Sequence, residues 1–235
     1  MSAATPNPER LPASARVFAR VLARDLRLEL RGREALNAML FYALLIIVIF
    51  SFAFEAQSEL TLHAGGGLLW VAFLFAGLVA LDRAFLREMP EACLTGLRLS
   101  PAARPAILGG KMVSSFLLMT GIELLLLPLF AIFFNVPPGA RWGAVLGVLL
   151  AGTWALASTG TFFSAMSVHT RYRALLLPLL LLPLAIPAVI AMVQATQIFL
   201  NGEGGAGYWI QLLLGFDVIF TCLGLLLADV VLEVG

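Results

Sequence analysis

Two carboxylic acids stand inside long apolar stretches of this sequence, and their type and place call for a chemical reason. Glu123 and Asp217 each lie near the middle of such a stretch. A charge at the centre of a bilayer costs roughly 2.5–3.5 kcal/mol on insertion scales, so an acid there faces a bundle interior or finds a partner. Two readings fit. The acids form a proton or substrate path, or they supply packing polarity through a hydroxyl such as Thr120, Thr153 or Ser158. The remaining polar chemistry gathers in the segment 82–111, which mixes charges with Phe85, Leu86, Met89, Leu94 and Leu97. A helix of that composition lies along a membrane and presents polar residues to a cytosolic partner; an ordinary solvated loop has the same composition.

Several chemistries are excluded. The sequence has no G-x-x-x-x-G-K-[ST] loop, so it should not hydrolyse ATP alone. It shows no Ser/His/Asp or Cys/His arrangement. His63 and His169 fall on opposite sides of the membrane in the topology below, so they do not share one metal or one haem. His63 alone is a weak candidate haem ligand, since imidazole is a common iron ligand; a wet interfacial histidine is the simpler account. Cys93 and Cys222 form no CxxC motif, and the topology keeps them apart. No metal site and no bound cofactor are expected.

The elements that position these residues follow from composition. The chain is 61% hydrophobic and 12% charged, against near a quarter charged in soluble domains. Six apolar blocks run over about 36–54, 67–86, 112–134, 142–168, 174–198 and 208–228. Each is long enough to span a hydrocarbon core as a helix, about 20 residues at 1.5 Å each. They lack the alternation of a membrane β-barrel strand.

The charges then orient the blocks. Arg10, Arg16, Arg20, Arg24, Arg27, Arg31 and Arg33 precede block one; Arg83, Arg87, Arg98, Arg104 and Lys111 follow block two; Arg171 and Arg173 follow block four. The alternate segments hold only Arg141. Cations stay on the cytoplasmic face, so the pattern predicts six spans with both termini cytoplasmic. It is a topological pattern, not a nucleic-acid-binding patch. Block one reads as an uncleaved first span, because the arm before it is too long for a signal peptide and no small-residue cleavage site follows.

Residues 1–12, with Pro6, Pro8 and Pro12, are expected to be a disordered arm, and 13–235 one transmembrane domain. A helix is predicted from near Ser14 to Gly32. Its arginines at 16, 20, 24, 27 and 31 share one stripe. Such an amphipathic helix suits the cytoplasmic interface, with guanidinium groups at lipid phosphates; a solvated helix whose arginines only enforce topology is the alternative. Trp70, Trp142 and Trp209 lie near span ends and read as interface anchors. Pro178, Pro183 and Pro187 predict a bent or partly broken fifth span.

At these residues the sequence resembles the CcmB family, the membrane subunit of the ATP-binding-cassette complex of cytochrome c maturation. The resemblance rests on Gly67-Leu68-Leu69-Trp70-Val71-Ala72, on Ala80-Leu81-Asp82-Arg83 with Phe85, on Leu97-Arg98-Leu99-Ser100-Pro101 followed by Lys111, on Leu182 to Pro187, and on Phe216-Asp217-Val218-Ile219-Phe220. Their order and spacing across the chain carry it. Ala92, Thr95, Pro90 and Glu123 depart from the family pattern. The resemblance implies an all-α integral membrane protein of the bacterial inner membrane, a type-2 ABC exporter permease. It implies a separate CcmA-like ATPase carrying the ATP, a second copy of the chain, and CcmC-like, CcmD-like and CcmE-like partners. The cargo would be haem, or ATP hydrolysis would release the haem-loaded chaperone. The loop would couple to the ATPase through Arg87, Glu88, Glu91 and Arg98, with Phe85, Leu94 and Leu97 holding it to the bundle. An ABC-2 permease for another cargo, a proton-coupled secondary transporter using Glu123 and Asp217, and a structural scaffold remain as alternatives.

Overall fold

A computed structural model describes residues 13–54, 59–83, 104–136, 140–167 and 173–233. Eight helices and no strands occur among the described residues: α1 (Ala13–Gly32), α2 (Glu34–Ala53), α3 (Glu59–Arg83), α4 (Arg104–Phe133), α5 (Trp142–Ser167), α6 (Arg173–Leu200), α7 (Gly207–Leu226) and α8 (Ala228–Glu233). Six of them hold segments long and apolar enough to cross a membrane: Leu36–Ala53, Ala64–Asp82, Arg104–Phe133, Trp142–Ser167, Leu175–Leu200 and Gly207–Leu226. The predicted fold class and span count therefore stand.

α5 is the hub. It packs against α3, α4, α6 and α7. Its buried face is built of small residues, among them Gly152, Thr153, Ala155, Ala157, Ser158 and Gly160. In lipid there is no hydrophobic drive between helices, and small side chains let them approach closely enough for dispersion and hydrogen bonds to hold them. Trp70 of α3 lies over Gly152, where an added Cβ would stand 2.4 Å from the indole. The same indole donates from Nε1 to Thr196 Oγ1 of α6 at 2.9 Å. Trp70 is thus wholly buried and joins three helices, which corrects its reading as an interface anchor. The position near a span end suggested the belt, but the ring turns inward because α5 offers a glycine opposite it.

The fifth span, α6, is one unbroken helix through Pro178, Pro183 and Pro187. Leu177, Leu181, Ala185, Ala188, Met192 and Phe199 make its buried face. Pro183 and Pro187 sit on the exposed side, so the turns around them are off the packed seam. At its far end Gln197 Oε1 accepts from Gly66 N of α3 at 2.8 Å. Gly66 is obligatory there, since a Cβ would come within 2.7 Å of the Val193 carbonyl oxygen.

The third span begins at Arg104, eight residues ahead of the expected boundary at 112. Pro105 follows as a helix-compatible first-turn residue. Lys111 accordingly lies inside a helix and not in a loop. Both chain ends meet this part of α4. Val17 and Val21 of α1 pack on Ile107, and Ala228 and Val231 of α8 pack with Leu108, Met112 and Ala165. The two termini are therefore at the same end of the bundle, as an even number of crossings requires. At the other end Arg141 N donates to Phe199 O at 2.9 Å, and its guanidinium lies 5.7 Å from the Phe199 ring centre.

Candidate functional site

The polar side chains of α4 and α5 meet along a single buried seam. Thr153 Oγ1 donates to Glu123 Oε2, and Leu149 O lies 2.7 Å from the same hydroxyl. Thr161 Oγ1 and Ser115 Oγ are 3.5 Å apart. Both pairs obey one antiparallel register: eight residues down α4 from Glu123 to Ser115 match eight up α5 from Thr153 to Thr161. At 1.5 Å per residue the seam is about 12 Å long between the two pairs. Glu123 is almost wholly buried, and the structure selects Thr153 from the three hydroxyls anticipated for it.

Below Ser115 the seam continues to Lys111. Ser114 Oγ donates to Lys111 O at 2.9 Å. Lys111 Nζ donates to Asp25 Oδ2 of α1 at 3.1 Å, with side-chain exposures of 2% and 14%. Arg24 holds the other oxygen, Oδ1, at 3.2 Å. Asp25 is the residue through which α1 pairs with α4. Gly110 beside Lys111 makes the contact close: a Cβ there would stand 3.2 Å from the Phe18 carbonyl oxygen and from Val21. One sequence signal pointed here, for Lys111 is the only lysine in the chain.

Not every polar atom of this interior is matched. Among the described residues, Thr120 Oγ1, Glu123 Oε1, Thr159 Oγ1 and Asp217 Oδ1 are buried with no hydrogen-bond partner in the protein. Buried polar groups are ordinarily bonded to protein or to ordered water, so these four atoms stand apart from the rest of the interior. Asp217 is buried in α7. In the same helix Thr221 Oγ1 accepts from Trp154 Nε1 of α5 at 3.0 Å.

The remaining sequence-predicted positions distribute as follows. Phe85, Arg87, Glu88, Glu91, Leu94, Leu97 and Arg98 lie outside the described residues, as do His169 and Cys93. His63 falls in the first turns of α3. Cys222 is exposed on α7. Near the C-terminal end of α3, Ser164 Oγ of α5 donates to Leu81 O at 2.8 Å.

A bundle of six apolar helices, with a basic amphipathic helix docked on one end and a hydroxyl-lined seam inside, defines a multi-pass membrane protein of the permease kind. The chain belongs to the CcmB family: the family described as CcmB protein matches residues 16–233, from the first turn of α1 into α8. Among its relatives, heme exporter protein B of Rhodobacter capsulatus is 36% identical over 172 residues, covering 72% of this chain and 78% of that protein. Heme exporter protein B of Pseudomonas aeruginosa is 34% identical over 210 residues, covering 87% and 92%. The Bradyrhizobium diazoefficiens protein of the same name is 31% identical over 206 residues, covering 87% and 91%.

Proposed function

We propose that this chain is the membrane-embedded permease subunit of an ATP-driven haem exporter that serves cytochrome c maturation in the bacterial inner membrane. The observation that carries the reading is the extent of the family match, which runs from the first turn of α1 through all six spans to the end of α8. The relatives bear the name heme exporter protein B. The chain has no phosphate-binding loop of its own, so the energy comes from a separate CcmA-like ATPase. Haem is cargo and not a resident cofactor in this reading.

The mechanism is mechanical. An ATPase dimer closes on ATP, two copies of this chain receive the motion, and the segment 85–101 is the contact. Arg87, Glu88, Glu91 and Arg98 make its polar contacts; Phe85, Leu94 and Leu97 hold it to the bundle. The segment joins α3 to α4, and those two helices carry inter-helix bonds described above, among them Trp70 with Thr196 of α6 and Glu123 with Thr153 of α5. A displacement of the segment therefore pulls on α6 and α5. CcmC-like, CcmD-like and CcmE-like proteins complete the assembly.

The test is co-purification with a Walker-motif subunit, followed by Glu88→Lys together with Glu91→Lys. The expected result is an assembly that loses ATPase coupling. Normal assembly with normal ATP hydrolysis in the double variant would remove the coupling role. A second reading, proton-driven transport, is favoured by one observation: Glu123 and Asp217 are both buried, each with an oxygen that no protein group engages. Glu123→Gln with Asp217→Asn separates the two, because a proton-driven carrier stops and an ATP-driven one continues.

A further inference from the structure

We propose that the basic face of α1 is a binding site for the phosphate headgroup of an anionic glycerophospholipid, whatever cargo the bundle handles. Arg20, Ala23, Arg24, Arg27, Leu28 and Arg31 line one groove of about 330 Å³ on this helix. The arginine spacings of four, three and four residues keep the guanidinium groups on one side. Arg20, Arg27 and Arg31 are exposed, while Arg24 is engaged with Asp25.

The helix cannot turn this face elsewhere. Val17, Val21 and Asp25 are committed to α4 through Ile107 and Lys111. At 3.6 residues per turn the exposed arginines then lie about a quarter of a turn to one side of that contact, and Leu26 and Leu30 lie about two-fifths to half a turn from it. α1 is joined to span one through Arg33 alone and packs on the first turns of span three. It therefore lies at the level of the headgroups, not out in the cytosol. Leu28 and Leu30 are exposed beside the cations. Guanidinium forks match phosphate oxygens two at a time, and the leucines match acyl chain. An acidic protein surface would satisfy the first group and not the second. The ligand that satisfies both is an anionic amphiphile.

The test uses the full-length protein in a neutral detergent, offered phosphatidylglycerol, phosphatidylcholine or inorganic phosphate and read by native mass spectrometry. Phosphatidylglycerol should be retained in preference to phosphatidylcholine, and inorganic phosphate should not displace it. Arg20→Gln, Arg27→Gln and Arg31→Gln together should reduce the preference by about 100-fold, near fivefold for each cation. The triple Arg→Lys variant should keep most of it, and Arg171→Gln with Arg173→Gln should leave it unchanged. Equal retention of the two lipids by the parent protein would overturn the proposal without any variant. So would a preference that survives the triple Gln change, or that inorganic phosphate abolishes. A triple variant that keeps its lipid but loses a co-purifying ATPase would reassign the face to an acidic protein.

Discussion

Removing the carboxylate of Asp25 should release α1 from the bundle, and the size of the effect follows from what each partner keeps. Lys111 is the more deeply buried member, with 2% of its side chain exposed. Asp25→Ala takes one counter-charge from a buried ammonium, a change that costs up to about 3–5 kcal/mol. Lys111→Met is milder, because Asp25 retains Arg24 at 3.2 Å and the methionine fills the space; about 1–3 kcal/mol is expected. Replacing both, Asp25→Leu with Lys111→Met, should be near neutral, since an apolar pair of similar volume is often as stable as a buried ion pair. The order is therefore Asp25→Ala, then Lys111→Met, then the double variant. The assay is maleimide labelling at Val21→Cys, a position buried against Ile107, in a background with Cys93→Ser and Cys222→Ser. Local opening sets the labelling rate. A loss of 3 kcal/mol raises that rate by about 100-fold. If Asp25→Ala labels within about threefold of its parent, on a scale where tenfold is 1.4 kcal/mol, the ion pair does not hold the helix and the docking argument fails. If the double variant opens as far as Asp25→Ala, the pair contributes more than its charges, and the desolvation reasoning is wrong.

Four further outcomes are expected. Trp70→Phe removes the bond to Thr196 and should destabilise the bundle in mixed micelles by about 0.6–2 kcal/mol, the range for such bonds between membrane helices; Thr196→Val made on top should add little, as a double-mutant cycle would record. Gly66→Val places side-chain atoms against the Val193 carbonyl and should lower the yield of folded protein, with overpacking of about 1–3 kcal/mol seen in thermal unfolding. Glu123→Gln keeps an oxygen for the Thr153 hydroxyl and should leave folding and ATP-driven turnover near parental levels, whereas Glu123→Lys should prevent assembly in detergent extracts. Single cysteines at Gly204 and Met89 should label from opposite sides of sealed vesicles, Gly204→Cys from the outer face; labelling from one side would break the six-span topology.

Much of the fold was legible because its signals are local. Span number follows from the length of apolar runs, and α1 from a four-and-three spacing of arginines against valine and leucine; the placement of fourteen of fifteen cations predicts the orientation. The boundaries were less legible. The apolar run that marks span three starts only after Lys111, whereas the helix starts at Arg104, and the partner of Lys111 on α1 is what accommodates the buried lysine. The acids were recognisable as buried, yet the choice of Thr153 over Thr120 or Ser158 was not.

The sequence by itself determined what each segment is. The tertiary structure alone decided which face of each span turns inward. Outside the small polar residues of α4 and α5 the spans are apolar nearly all the way round, so no polar stripe marks their rotation about their own axes. That rotation is fixed by close approaches between helices far apart in the chain: Trp70 over Gly152, Val21 against Gly110, Gly66 against Val193. The same approaches bring Asp25 to Lys111 and Thr153 to Glu123. These contacts exist only once the partner helix is present, which is why local pattern could name the polar residues but not pair them.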